Sequence, residues 1–225
     1  MKRTKLADRL LPTYSHAEEL FHMISHIVGG GLGVVALVLC VVFSAIYQDA
    51  YAIVASSIYG ISLISLYCMS SIYHGLHEGM AKRVMQVMDH CTIYFLIAGT
   101  YTPVLLISMR QISPTTAWIL FGVVWGLTAL AVTLTAIDLK KYSAFSMICY
   151  IGMGWSIVFA ADVAIKALGT TGIIYMLAGG IAYTIGAILY GLGKKRRYMH
   201  AIFHLFVLIG SILQFISILF YNIIV

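Results

Sequence analysis

The sequence predicts an all-α integral membrane fold, a bundle of seven transmembrane helices, and three observations carry that prediction. Of the 225 residues, 61% are hydrophobic and 10% are charged, where an average soluble domain is roughly 25% charged. Seven apolar runs come near the ~20 residues that a helix needs to cross the hydrocarbon layer. The basic residues fall almost wholly in alternate connections, as they do in multi-pass proteins. The connections are too short to hold a soluble core, so residues 1–225 read as one membrane domain, with 1–20 as a cytoplasmic N-terminal segment.

Each span has its own justification. Phe21–Ile46 is longer than the roughly 7–15-residue apolar part of a signal peptide, so it is expected to be retained. Ala52–His74 closes on a polar turn containing Ser70 and His74. Val84–Ile107 carries Asp89 near its start and Pro103 near its end, where a kink is expected. Thr116–Thr135 is uninterrupted. Ser143–Val163 ends with Asp162, which is expected to pair with Lys166 one turn later. In Gly172–Leu192 the Gly179–Gly180 pair, like Gly29-x-x-x-Gly33 in the first span, reads as close helix packing. Tyr198–Val225 opens with His200 and His204.

Orientation follows from the loops. Twelve of the fourteen basic residues fall on one side: Lys2, Arg3, Lys5 and Arg9, then Lys82 and Arg83, Lys140 and Lys141, and Lys194 to Arg197. Arg110 and Lys166 fall on the other. Short Lys- and Arg-rich loops stay in the cytoplasm, so the N-terminus is expected inside and the C-terminus outside, in a cell membrane, which in a bacterium is the plasma or inner membrane. The net charge of +6 is thereby explained by topology and attraction to anionic headgroups.

Several function classes drop out. The basic residues are spread over four segments rather than massed on one face, which excludes nucleic acid as a partner. The four cysteines, Cys40, Cys68, Cys91 and Cys149, all lie within spans and form no Cys-x-x-Cys pair, so they read as small apolar fillers. The last span has no Lys for a retinal Schiff base. A channel would need a polar route through the outer halves of the spans, and Asp162 is the one clear charge there.

What remains is polar chemistry at the cytoplasmic ends. All eight histidines lie at or near those ends. His200 and His204, at i and i+4, share a helix face roughly 6 Å apart. His74 and, one turn earlier, Ser70 lie at the same depth, and Asp89 follows after a short loop. Ionisable groups at such depth are costly and usually functional, and this set has the composition of a zinc site. His16 and His77 read as ordinary interfacial residues.

Three motifs spanning nearly the whole chain carry a family resemblance: Ser70-x-x-x-His74 with Asp89 downstream, His200-x-x-x-His204, and the run from Glu19 to His26. With the runs Met88 to Val104 and His200 to Ser211, they identify the chain as similar to the haemolysin III branch of the progestin and adipoQ receptor family, seven-helix proteins grouped with alkaline ceramidases among metal hydrolases. The resemblance implies that His74, His200 and His204 bind Zn²⁺ and that Asp89 is the motif carboxylate. It also implies places near the site, behind the ligands, for Glu19 and His26. One position departs from the pattern: His22 stands where the family has Asn, and a lesser role is expected for it.

Three neutral imidazoles leave one place for water, the open arrangement of catalytic zinc. The expected reaction is hydrolysis of an amide or ester in a membrane lipid or small amphiphile, with Asp89 deprotonating water and Ser70 donating to the oxyanion. The alternative is a zinc that staples helices two, three and seven together in a membrane regulator or receptor-like protein without turnover. The sequence specifies neither the substrate nor the oligomeric state.

Overall fold

The computed structural model describes residues 4–192 and 197–225, so Lys2, Arg3 and Lys194 to Arg196 of the topology argument lie outside the described residues. Among the described residues there is no strand. Among the described residues, seven α-helices of twelve residues or more carry the chain: α1 His16–Tyr47, α2 Ala50–Gly75, α3 Met80–Val104, α4 Pro114–Ile137, α5 Ser143–Gly154, α6 Ala161–Leu192 and α7 Met199–Ile218. α3 continues through a π-helical turn, Leu105–Met109, and α7 through another, Leu219–Ile223.

Six helical segments among the described residues are long and apolar enough to cross a membrane. Four of them contain one expected span each, and a fifth, Met199–Ile223, lies within the last expected span. The expected fifth and sixth spans fall together in a single run, Ser143–Gly191. The connection expected between them is helical except at Gly169, whose φ of 65° and ψ of 171° belong to a region that only glycine enters readily.

Local chemistry explains the helix ends. Ser15 and Glu18 form a reciprocal capping box at the start of α1, and Asp49 caps α2 by accepting from Ala52 N–H at 3.1 Å. Pro103 supplies no N–H within α3, and the π-helical turn begins two residues later. Where α5 ends inside the apolar layer, Tyr101 donates to the Gly154 carbonyl at 2.7 Å, and its oxygen accepts from Ile157 N–H at 3.2 Å. That hydroxyl satisfies backbone groups which lipid cannot.

Glycines set the closest packing. A Cβ on Gly29 would overlap the Tyr67 ring, and one on Gly33 would press on Ile64 of α2, so the Gly29-x-x-x-Gly33 face packs within the bundle. Gly179 packs in the same way on Gln214 of α7, whereas Gly180 meets nothing. The expected Asp162–Lys166 pair does not form: both side chains are exposed, and no ion pair joins them among the described residues. The polar heads point outward, where solvation competes with an i,i+4 contact of a few tenths of a kcal/mol.

The two ends of the bundle differ. At one end Arg110 pairs with Asp49 at 2.7 Å and Gln48 donates to the Ile223 carbonyl. At the other, the start of α1, the end of α2 and the starts of α3 and α7 meet. The segment before α1 is tied down there by Thr4 N–H donating to Asp138 at 2.7 Å and by Arg83 donating to the Arg9 carbonyl at 3.1 Å. The histidines gather at this end.

Candidate metal centre

Four imidazoles meet between three helices. His22 comes from α1, His74 from the last turn of α2, and His200 and His204 from the first turns of α7; one ring nitrogen of each lies within 4.8 Å of those of the others. Three Nε2 atoms face one another, with His200 at 3.4 Å from His74 and 2.9 Å from His204. Tetrahedral zinc with bonds of about 2.0–2.1 Å separates its nitrogens by about 3.3 Å, and the two distances straddle that figure.

Two of the outward-facing nitrogens, those of His74 and His204, are held as metal ligands are held. His74 Nδ1 meets Glu19 Oε2 at 2.6 Å, and the other Glu19 oxygen accepts from Lys82 Nζ at 2.7 Å. His204 Nδ1 meets His26 Nε2 in a short contact. If each Nδ1 carries the proton, the Nε2 lone pairs of His74 and His204 are left pointing at the shared centre. His22 and His204 are 0% and 1% exposed, and neither His22 nitrogen has a hydrogen-bond partner. A buried imidazole with both nitrogens unpaired is costly, and a cation at the centre would satisfy one of the two His22 nitrogens and lower that cost. The donor set therefore fits zinc.

Asp89 and Ser70 lie to one side. They do not join the imidazole cluster; they line a cavity of about 150 Å³ together with His26, His200 and His204. Most of the wall is apolar, including Leu96, Ile97 and Phe203. Ser70 interacts with the Asp89 carboxylate, and Asp89 Oδ2 is 3.9 Å from His90 Nδ1, which itself donates to the Gln86 carbonyl at 2.8 Å. His200 and His204 thus belong to both the cluster and the cavity.

The structure adds three residues to those the sequence pointed to. His22 was expected to matter least and sits inside the cluster; its signal was its i,i+4 spacing from His26, the same spacing as His200 and His204. Lys82, read only as a loop charge, is 5% exposed and binds Glu19 and the Leu76 carbonyl. Tyr14 stacks on His200 with ring centroids 5.1 Å apart and an interplanar angle of 21°, and burial raises its phenol above the usual range. No cysteine joins the cluster: Cys91 Sγ instead faces the Val132 carbonyl at 3.9 Å.

Comparisons with known proteins place the chain among sequence relatives. Residues 14–215 match the family described as Haemolysin-III related. The chain is 37% identical over 204 residues to Hemolysin-3 of Bacillus cereus, covering 91% of both chains. It is 36% identical over 204 residues to the Hemolysin-3 homolog of Bacillus subtilis, covering 91% of this chain and 94% of that one. The human Monocyte to macrophage differentiation factor is 26% identical over 210 residues, which cover 91% of this chain and 80% of that protein.

Proposed function

This chain belongs to the haemolysin III-related family, a multi-pass cell-membrane protein, and on that premise we propose that it is a zinc-dependent hydrolase of an amide or ester in a membrane lipid or small amphiphile. The observation that carries this reading is the shared cavity: a carboxylate, a hydroxyl and two imidazoles of the metal cluster open onto one largely apolar space. When bound, zinc polarises a carbonyl and acidifies water. His74, His200 and His204 would hold it. The apolar wall receives the hydrocarbon part of the substrate, Asp89 accepts the proton of the attacking water, and Ser70 donates to the oxygen on which negative charge develops.

The bundle is proposed to cross the membrane seven times, with the N-terminus inside and the C-terminus outside. The run Ser143–Gly191 contains 49 residues, roughly 70 Å of helix against a ~30 Å hydrocarbon layer, and Gly169 supplies a break suited to a reversal. The twelve-to-two distribution of basic residues supports the orientation.

A second reading has its own support. The four imidazoles come from α1, α2 and α7 rather than from the second, third and seventh helices, so a metal bound by all four would staple three helices without any turnover. Asp89→Asn separates the two. Assayed on a fluorogenic fatty amide and a fatty ester in micelles, the variant should keep its zinc and lose on the order of 10²–10⁴ in rate. Full activity with zinc retained would reject the hydrolase reading and leave the staple.

A further inference from the structure

We infer that His22 is a fourth imidazole ligand, so that the resting metal site is closed by protein on all four sides. The inference rests on the metal reading above and deepens it. His22 occupies the middle of the cluster: its ring centroid is 4.6 Å from those of His74 and His200 and 4.9 Å from that of His204.

Simple core packing does not account for this placement. Packing would favour a residue without nitrogen lone pairs, or an imidazole with its nitrogens satisfied. His22 is fully buried, and its Nδ1 and Nε2 both lack a hydrogen-bond partner. Its nearest carboxylate oxygen, Glu19 Oε2, is 4.0 Å from Nδ1 and is already engaged by His74 at 2.6 Å. His74 and His204 each have an outward nitrogen held by a partner, whereas His22 has none. The outward nitrogen of His200 is likewise unpaired, but its other nitrogen faces His74 and His204, whereas neither nitrogen of His22 has a partner.

The arrangement separates two states. With His22 in place, coordination is complete, as in structural zinc sites. A substrate carbonyl arriving from the cavity through His200 and His204 must displace His22 or expand the coordination to five. His22 therefore acts as a built-in competitor for the place that water takes in a three-imidazole site.

X-ray absorption on the purified zinc-loaded full chain counts the imidazoles. Wild type should show four, and His22→Asn, which restores the residue of the family pattern, should show three with zinc still near one per chain. Zinc should pass to a chromogenic chelator at least roughly tenfold faster from the variant. In cobalt-loaded protein, azide should perturb the visible spectrum of the variant and leave wild type unchanged. Three imidazoles in wild type, with chelator transfer and azide response unaltered by His22→Asn, would overturn the inference while leaving the three-imidazole site standing. A wild-type protein that holds no zinc would overturn both. The wild-type count is independent of how well the variant folds.

Discussion

Glu19 joins a buried lysine to a candidate metal ligand: one of its oxygens accepts from Lys82 Nζ at 2.7 Å and the other meets His74 Nδ1 at 2.6 Å. Such a carboxylate fixes the tautomer and orientation of the ring behind it. Glu19→Gln keeps the shape and removes the charge. Zinc affinity, measured by competition with a chelator, should fall on the order of 10- to 100-fold, with helicity by circular dichroism unchanged.

His74→Ala, His200→Ala and His204→Ala remove the convergent nitrogens themselves. Purified wild type should carry about one zinc per chain by elemental analysis, and each variant should lose most of it. Unchanged zinc in all three would reject them as ligands.

Gly29→Ala should destabilise the bundle, because the new Cβ overlaps the Tyr67 ring and Tyr67 is fixed by its hydrogen bond to Ser211 at 2.7 Å. Overpacking of this kind costs about 1–3 kcal/mol. Thermal unfolding in detergent should show a lower Tm for Gly29→Ala and little change for Gly31→Ala, where a Cβ meets nothing within 4 Å.

Asp138 links the segment before α1 to the connection after α4. Backbone N–H groups of Thr4, at 2.7 Å, and Lys141, at 3.1 Å, donate to its carboxylate and hold its pKa below the usual aspartate value. The sign follows from that depression: the tether is at full strength above about pH 4 and is lost as pH falls through the depressed folded value. Hydrogen-exchange protection at Thr4 to Arg9, corrected for the intrinsic pH dependence of amide exchange, should fall at the acid end of a titration, and Asp138→Asn should show the lower protection already at pH 7.

A reporter fused after Val225 tests the orientation. Alkaline phosphatase should be active there and green fluorescence absent. The reverse result would move the imidazole cluster to the outer leaflet.

The helices were legible because apolar length is a coarse signal: the first four expected spans match helices to within a few residues at each end, whereas the fifth and sixth fall together in the run Ser143–Gly191. The break between the fifth and sixth spans was not legible as a single glycine, since Gly169 looks like any loop residue until its dihedrals are known. At the site, His74, His200 and His204 were picked out by shared depth and i,i+4 spacing. His22 was discounted because a departure from a motif reads as relaxed constraint, and only three-dimensional packing shows its ring among the others. Lys82 was missed for a related reason: loop lysines are ordinarily solvated, and nothing local marks one that turns inward to a carboxylate 63 residues away.

Glu18 has a consequence for how the protein is made. One of its oxygens closes the capping box at the start of α1, and the other accepts from Tyr198 N–H at 2.8 Å, 180 residues later, where α7 begins. The start of α1 is thereby registered against the start of α7. A nascent chain halted before Met199 has His22, His26 and His74 but neither His200 nor His204, so the centre cannot exist until the final helix has entered the bilayer. If the centre holds a metal as proposed, its acquisition would follow the insertion of α7: chains halted before it would lack two of the ligands, and only the complete bundle would gain the stabilisation that a bound ion confers.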